Sequence, residues 1–374
     1  MIQRQIKNTI LQQLFKNKAI VIIGPRQSGK TTLIKEICFE INKAYIWLDG
    51  DEPDIREQLT NANSAFLKSI IGNNKIVVID EAQRVKNIGL TLKLITDKIP
   101  DVQLIVSGSS ALELSNKINE PLTGRKYEYF LYPISFAEQV SHTNLLDETR
   151  LLKNRLIYGY YPDVLMNPTE SKVILKQLSD SYLYKDILTW ENVKRPEKLE
   201  RLVQLLAFQV GSQVSYNELA NSTGIDNETV ERYVYLLEKA FIVFRLNSFS
   251  RNLRNELKKS RKIYFYDNGI RNAVINNFNP VDLRNDIGSL WENFLISERK
   301  KYTDYNNIYS NKFFWRTQAQ QEIDYIEEHS GKLFAYEFKW NTKKKAKISK
   351  TFTKAYPESE SEIITPDNYT DFVM

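Results

Sequence analysis

The sequence holds one cysteine, Cys38, and two histidines, His142 and His329, among 374 residues. A single cysteine excludes an internal disulfide and a thiolate zinc cluster. Two histidines leave histidine-rich metal sites and most histidine-based triads without their parts. Any bound metal is therefore expected to have oxygen ligands, which favours Mg²⁺. No apolar run approaches the ~20 residues that cross a bilayer, so no membrane partner is expected. The stretch Met1–Phe15 is amphipathic rather than a charged start followed by an apolar block, so no secretory signal is expected either. Cytoplasmic residence is the default expectation.

What the chain does have is core material: 42% of its residues are hydrophobic and 26% are charged. Its length suggests about two or three domains. The formal net charge of +6 is local rather than spread. Arg251, Arg254, Lys258, Lys259, Arg261 and Lys262 crowd into Ser250–Lys262 against Glu256 alone, and Lys343–Lys350 adds five lysines and no acid. Either segment can contact the phosphates of a nucleic acid non-specifically, or simply stand as a solvated basic stretch.

The run Gly24-Pro25-Arg26-Gln27-Ser28-Gly29-Lys30-Thr31 reads G-x-x-x-x-G-K-[ST], a phosphate-binding loop. It follows the apolar run Ala19–Ile23 and precedes a helical pattern, Thr32–Phe39, which is the strand–loop–helix setting the motif requires. Gly24 and Gly29 let the backbone close around phosphate, and the helix start aims N–H groups at an anion. Gly24 through Thr31, with Thr32, are thus the expected nucleotide-binding residues. Lys30 is expected to reach the β- and γ-phosphates of ATP, and Thr31 to offer its hydroxyl to Mg²⁺.

Ala44–Asp49 reads as a second strand, and Lys75–Glu81 as a buried parallel strand ending in two carboxylates. Asp80 suits a Mg²⁺ holder, and Glu81 suits the orientation and deprotonation of an attacking water. Val102–Ser110 is a further apolar strand ending in hydroxyls; Ser109, then Ser107, are the candidate sensors of the γ-phosphate. Arg125 is a candidate arginine finger, in its own subunit or in a neighbour, with a structural salt bridge as the other reading. Tyr127–Leu131 alternates and supplies a fifth strand.

The order GPRQSGKT, VVIDEAQ, VSGSSALEL, LTGR and LYPISFAE resembles the prokaryotic AAA-type ATPases that carry a C-terminal domain of unknown function, over nearly the whole chain. The resemblance implies an ASCE-type P-loop sheet in residues 1–145, Mg²⁺–ATP binding and ATP hydrolysis. Lys30, Thr31, Asp80 and Glu81 fall on its nucleotide motifs one by one.

Helical patterns dominate from Leu151 to Val210. Ser215–Glu218 has capping-box spacing, Gly224 supplies a turn, and Asp226 or Asn227 caps a second helix with Val230, Tyr233, Val234 and Leu237 at helical spacing. Strand-like runs, Phe241–Leu246 and Lys262–Tyr266, follow. Residues 146–285 therefore look like a helical segment with a winged helix. The outer face of the second helix carries Asn227, Glu228, Glu231 and Arg232, and two glutamates repel a phosphate backbone. Protein docking is the favoured role there. Nucleic-acid contact is expected instead from Arg251, Arg254, Lys258 and Lys259.

In residues 286–374, Glu292, Asp324 and Glu337-Phe338-Lys339 form a pattern that resembles the PD-(D/E)xK nuclease fold. The resemblance implies acids that hold Mg²⁺ and a lysine that steadies the nucleophile or the transition state. Strand alternation puts Glu337 and Lys339 on one face and Phe334, Tyr336, Phe338 and Trp340 on the other, packed into a core. Asp324 shares the polar face if it stands opposite Ala335, across an even-length loop such as Glu328–Gly331; a three-residue loop turns it away. The shared face is expected.

The sequence thus reads as an α/β protein: a P-loop NTPase parallel sheet, a helical and winged-helix segment, and a restriction-endonuclease-like α/β C-terminal domain. The expected activity is that of a cytoplasmic Mg²⁺-dependent ATPase coupled to a protein partner or nucleic acid. The alternatives are an ATP-regulated nuclease and a slow nucleotide switch. A homo-oligomeric ring is expected if Arg125 acts in a neighbouring subunit.

Overall fold

A computed structural model of the chain describes residues 2–109, 118–182, 195–250, 260–317, 319–342 and 347–374. The chain forms two compact units, Met1–Ile134 with Lys239–Phe241, and Ser135–Glu238 with Ile242–Met374.

The first unit is built on five parallel strands: β1 (Ala19–Ile23), β2 (Tyr45–Asp49), β3 (Ile76–Asp80), β4 (Gln103–Gly108) and β5 (Lys126–Phe130), in the order β2-β3-β4-β1-β5. Every residue of β1, β3 and β4 is buried. Continuous Val/Ile runs suit strands covered on both faces, as parallel sheets require. The helices are α1 (Ile6–Gln13), α2 (Lys30–Ile41), α3 (Pro53–Leu59), α4 (Ser64–Ile71) and α5 (Ile88–Lys98). α2 buries Leu33, Ile34, Ile37 and Cys38 on one face, and each such aliphatic side chain contributes about 1.5–3 kcal/mol. Burial also pushes the Cys38 thiol up to about 11, so it stays protonated. The loop Gly24–Gly29 leaves the carboxyl end of β1, the edge at which open α/β sheets take their ligands.

The second unit carries a seven-stranded mixed sheet: β6 (Gln213–Val214), β7 (Val243–Ser248), β8 (Arg261–Phe265), β9 (Asn311–Arg316), β10 (Glu322–His329), β11 (Lys332–Phe338) and β12 (Glu360–Ile364), in the order β12-β11-β10-β9-β7-β8-β6. Ahead of β7 come α6 (Tyr216–Thr223) and α7 (Asn227–Lys239). Ser215 accepts the Glu218 N–H at 3.4 Å, and Gly224 ends α6 at a φ of 67°. Asp226, not Asn227, caps α7 by accepting the Thr229 N–H at 2.8 Å. Val230, Tyr233, Val234 and Leu237 are buried, as their spacing demands, and Leu236 joins them. β7 and β8 pair antiparallel and β8 also pairs with β6, while the other edge of β7 runs parallel to β9, with Asn247 beside Phe313; the β7–β8 connection, where a wing would lie, falls largely outside the described residues. Residues on either side of position 285 therefore share one sheet.

The β10–β11 hairpin is covered on both faces. Ile323, Ile326, Leu333 and Ala335 pack with Phe249, Trp315 and Phe352. On the other face the rings of Tyr325, Tyr336 and Phe338 lie 6.1, 4.7 and 5.6 Å from that of Phe372. Phe334 and Trp340 leave this group, Phe334 stacking on His329 at 4.5 Å and Trp340 meeting Trp291 at 5.5 Å. α8 (Ile287–Tyr305) carries Glu292. No helix among the described residues is long and apolar enough to cross a membrane.

Candidate functional site

The chain turns as soon as β1 ends. The Gly24 N–H donates to the Gly108 carbonyl at 3.3 Å. A Cβ on Gly24 would stand 2.0 Å from the Leu131 carbonyl oxygen, so no side chain fits there. The Pro25 carbonyl accepts the Ser28 N–H at 3.4 Å and the Ser28 hydroxyl at 2.9 Å, which closes the loop on itself. Gln27 and Gly29 take positive φ, 58° and 92°. Gly29 caps α2 without a side-chain acceptor, so the helix start presents the donor set that favours an anion. Lys30 is buried, and its ammonium donates to the carbonyls of Gly24 at 3.0 Å and Pro25 at 2.9 Å. Arg26 is half-buried on the loop, and Thr32 is exposed on α2.

The strand ends meet this loop. Thr31 Oγ1 donates to Asp80 Oδ2 at 2.9 Å. The Ser107 hydroxyl donates to Asp80 Oδ1, and Ser107 Oγ accepts the Glu81 N–H at 3.2 Å. Glu81 is left-handed at a φ of 48°, an unusual conformation for a residue with a Cβ, costing about 1 kcal/mol. Its carboxylate is held by Gln83, whose Nε2 donates to Glu81 Oε2 at 2.6 Å and to Ser109 Oγ at 3.0 Å. Ser109, the first candidate sensor, therefore reaches Glu81 through Gln83, while Ser107 sits directly on Asp80. Gln83 is 3% exposed. Sequence reasoning passed over it, although its place two residues after Glu81 on one tight turn was the available signal.

Arg125 does not join this group. It directly precedes β5, and Ala19 pairs with Lys126, so Arg125 lies at the amino end of the sheet, with its carbonyl accepting the Ala19 N–H at 2.9 Å. The phosphate loop leaves the opposite end of β1, five residues on, or about 17 Å at ~3.3 Å per residue. Arg125 Nε instead donates to Asp97 Oδ1 at 2.7 Å, the salt bridge of the alternative reading. A finger acting in its own subunit is thereby corrected.

The second constellation, in the other unit, does come together. The hairpin closes on a two-residue turn, Ser330-Gly331, with His329 opposite Lys332 and Tyr325 opposite Tyr336. The register places Asp324 opposite Glu337 rather than Ala335; the even loop length keeps both on one face. A bulge between Ile323 and Ile326 distorts the β9 side at this point. Asp324 Oδ2 accepts the Phe338 N–H at 2.8 Å, and Lys339 donates to Glu337 Oε1 at 2.6 Å. Burial, then the Glu292 charge, drives the Asp324 carboxyl well above the ordinary carboxylate range, against Lys262. Burial and Asp324 do the same to Glu337.

Lys262 was read as part of a basic surface segment, and that is corrected. Its side chain is 1% exposed, and its ammonium stands 2.9 Å from Glu292 Oε1 and 2.5 Å from Glu322 Oε1. Burial alone would lower its pKa, but Glu292, Asp324 and Glu322 outweigh this and raise it. Tyr264 OH adds a 2.6 Å bond to Glu292 Oε1. The acids thus already hold a fixed cation. Among the described residues, no three Asp, Glu, His or Cys side chains are placed to hold a metal ion. Arg261, the neighbouring cation, lies 3.6 Å from Glu231 and over the Tyr216 ring. Arg251, Arg254, Lys258, Lys259 and Lys343–Lys345 lie outside the described residues.

Comparison with known proteins agrees with the first unit and leaves the second unnamed. Residues 16–140 match a family model described as an AAA domain. Residues 149–281 and 287–370 match two domains of unknown function, DUF8612 and DUF4143. An uncharacterized protein of Mycobacterium tuberculosis is 24% identical over 344 residues, covering 90% of this chain and 74% of that protein. An uncharacterized protein of Methanocaldococcus jannaschii is 26% identical over 345 residues, covering 86% and 74%. Among solved structures, a Walker-type ATPase of Pyrococcus abyssi aligns with a TM-score of 0.50 at 15% identity, over 73% of this chain and 96% of that one. These findings support an AAA-type P-loop ATPase fold for the first unit.

Proposed function

We propose that the chain is a Mg²⁺-dependent ATPase whose nucleotide state is passed to a partner through residues 146–285 and 286–374, with residues 1–145 as the motor. The observation that carries the reading is the 2.9 Å contact between Thr31 and Asp80. It joins the end of the phosphate loop to the end of β3 through two hard oxygen donors, the set Mg²⁺ prefers. Bound there, the ion would neutralise charge on the phosphates. Thr31 and Asp80 would hold it. Lys30 would exchange the Gly24 and Pro25 carbonyls for phosphate oxygens. Glu81 would take the proton of the attacking water, with Gln83 fixing its second oxygen and Ser107 and Ser109 registering the phosphate. The charge on the second unit's basic segments suits a phosphate-rich or acidic partner, and the cytoplasm is the proposed place. The test is phosphate release from ATP by the wild-type protein. Turnover in millimolar Mg²⁺ that stops on adding EDTA is expected; ATP left intact under all conditions refutes the reading.

A second reading, an ATP-regulated nuclease, draws on the shared face of Asp324, Glu337 and Lys339. Lys262 weighs against it, because an ammonium already neutralises the acids that would have to hold the metal. DNA and RNA incubated with Mg²⁺ or Mn²⁺ are expected to stay intact. Cleavage by the wild type that disappears in Glu337→Ala would make the nuclease the better reading.

A further inference from the structure

The buried guanidinium of Arg4 belongs to no motif. It lies ahead of α1 and is 5% exposed. Arg4 Nη1 donates to the Ser28 carbonyl and Nη2 to the Tyr132 carbonyl, each at 2.6 Å. The same Nη1 would stand 3.7 Å from a Cβ on Gly29. One planar side chain thus grips two backbone segments, the phosphate loop and the stretch leaving β5. The loop already leans on that stretch, since the Leu131 carbonyl fills the space a Gly24 Cβ would need.

The peptide geometry gives this grip a consequence. No peptide bond described is cis, and in a trans peptide the C=O and the following N–H point in opposite directions. Holding the Ser28 carbonyl on Arg4 therefore turns the Gly29 N–H away from Arg4, to the opposite face of the loop. Gly29 is left-handed at 92°, a conformation that favours glycine, and its carbonyl already accepts the Leu33 N–H at 2.9 Å, so the peptide on its amino side is the one this bond does not hold. The Ser28 N–H is committed to Pro25 within the loop. Ser28 Oγ is committed there as well. Arg4 is the group that sets the 28–29 peptide, and its charge strengthens the bond relative to a neutral donor.

We propose that Arg4 is a positioning residue of the nucleotide site: it orients the Ser28–Gly29 peptide so that the loop presents N–H groups to the phosphate chain of a nucleoside di- or triphosphate. This rests on the phosphate-loop reading above. The guanidinium touches the loop from behind and acts through its backbone. Its contribution falls on phosphates and not on the base. Arginine suits the place because its fork reaches two carbonyls at once, which a lysine ammonium does less well.

The test is equilibrium binding of MgADP and of adenosine, by calorimetry, to wild type, Arg4→Met, Arg4→Lys and Lys30→Ala, with thermal unfolding run in parallel. Arg4→Met is expected to weaken MgADP about tenfold or more, the size of one lost charge-assisted hydrogen bond, with adenosine binding unchanged. Arg4→Lys is expected to recover part of the loss. In turnover, KM for ATP rises more than kcat falls. Unchanged MgADP affinity in a folded Arg4 variant, with Lys30→Ala impaired, overturns the Arg4 assignment alone. An equal loss for MgADP and adenosine overturns it too, as that is general destabilisation. A wild type that binds no MgADP overturns the phosphate-loop reading and Arg4 with it.

Discussion

Lys30→Ala is expected to abolish ATP turnover, by about a thousandfold or more, while leaving the first unit folded. The size follows from where the charge sits. Lys30 is 5% exposed, and its ammonium is already held over the loop by the Gly24 and Pro25 carbonyls, which it would exchange for phosphate oxygens without leaving the loop. A preorganised cation in a site shielded from water can be worth several kcal/mol at the transition state, because charge there is poorly screened. Stability changes less. The buried Gly24 and Pro25 carbonyls lose a donor each, and about 1–3 kcal/mol is the typical scale of leaving such a group unpaired. Phosphate release measures the first effect and urea unfolding the second. Full turnover in Lys30→Ala would remove the phosphate loop from the mechanism.

What was legible in the sequence was local. The phosphate loop is a contiguous run whose conformation depends on its own glycines, and Gly29 takes the positive φ that its place demands. The strands β1, β3 and β4 declared themselves by their short apolar runs, Ala19–Ile23, Ile76–Ile79 and Leu104–Val106, because both their faces are covered. The buried face of α7 followed from spacing alone, while spacing left its cap between Asp226 and Asn227 and the structure gives it to Asp226. What stayed hidden was non-local. Arg4 and Tyr132 meet across 128 residues, through backbone carbonyls that leave no mark on residue type. Lys262 looked like one more cation in a basic run; only the sheet turns it inward onto Glu292 and Glu322. The parallel pairing of β7 with β9 joins residues that sequence division had kept apart. Arg125 was placed near the site by its position in the chain, and the direction of β5 puts it at the other end. The hairpin register hung on whether the turn has two, three or four residues, which Ser-Gly alone does not decide.

Glu81→Gln is expected to lower kcat by about 10²- to 10³-fold while ATP binding stays within a few-fold of wild type, the range over which a general base contributes. The substitution keeps shape and removes the basic oxygen. It also keeps the local network. The Glu81 N–H bonds to Asp80 and Ser107 are made by the backbone and survive. The Gln83 donor still finds an acceptor, because a glutamine at position 81 can turn its carbonyl toward Nε2 in place of Glu81 Oε2. Lys30, Thr31 and Asp80 are untouched, so affinity should not fall. The dissociation of the two quantities is the diagnostic, since a damaged loop lowers both and a lost base lowers one. If kcat survives, Glu81 is only a partner of Gln83, and the protein is better described as a nucleotide switch whose slow hydrolysis owes nothing to that carboxylate. If kcat falls and tight ATP binding remains, the variant holds the ATP state long enough to capture whatever the second unit binds in it.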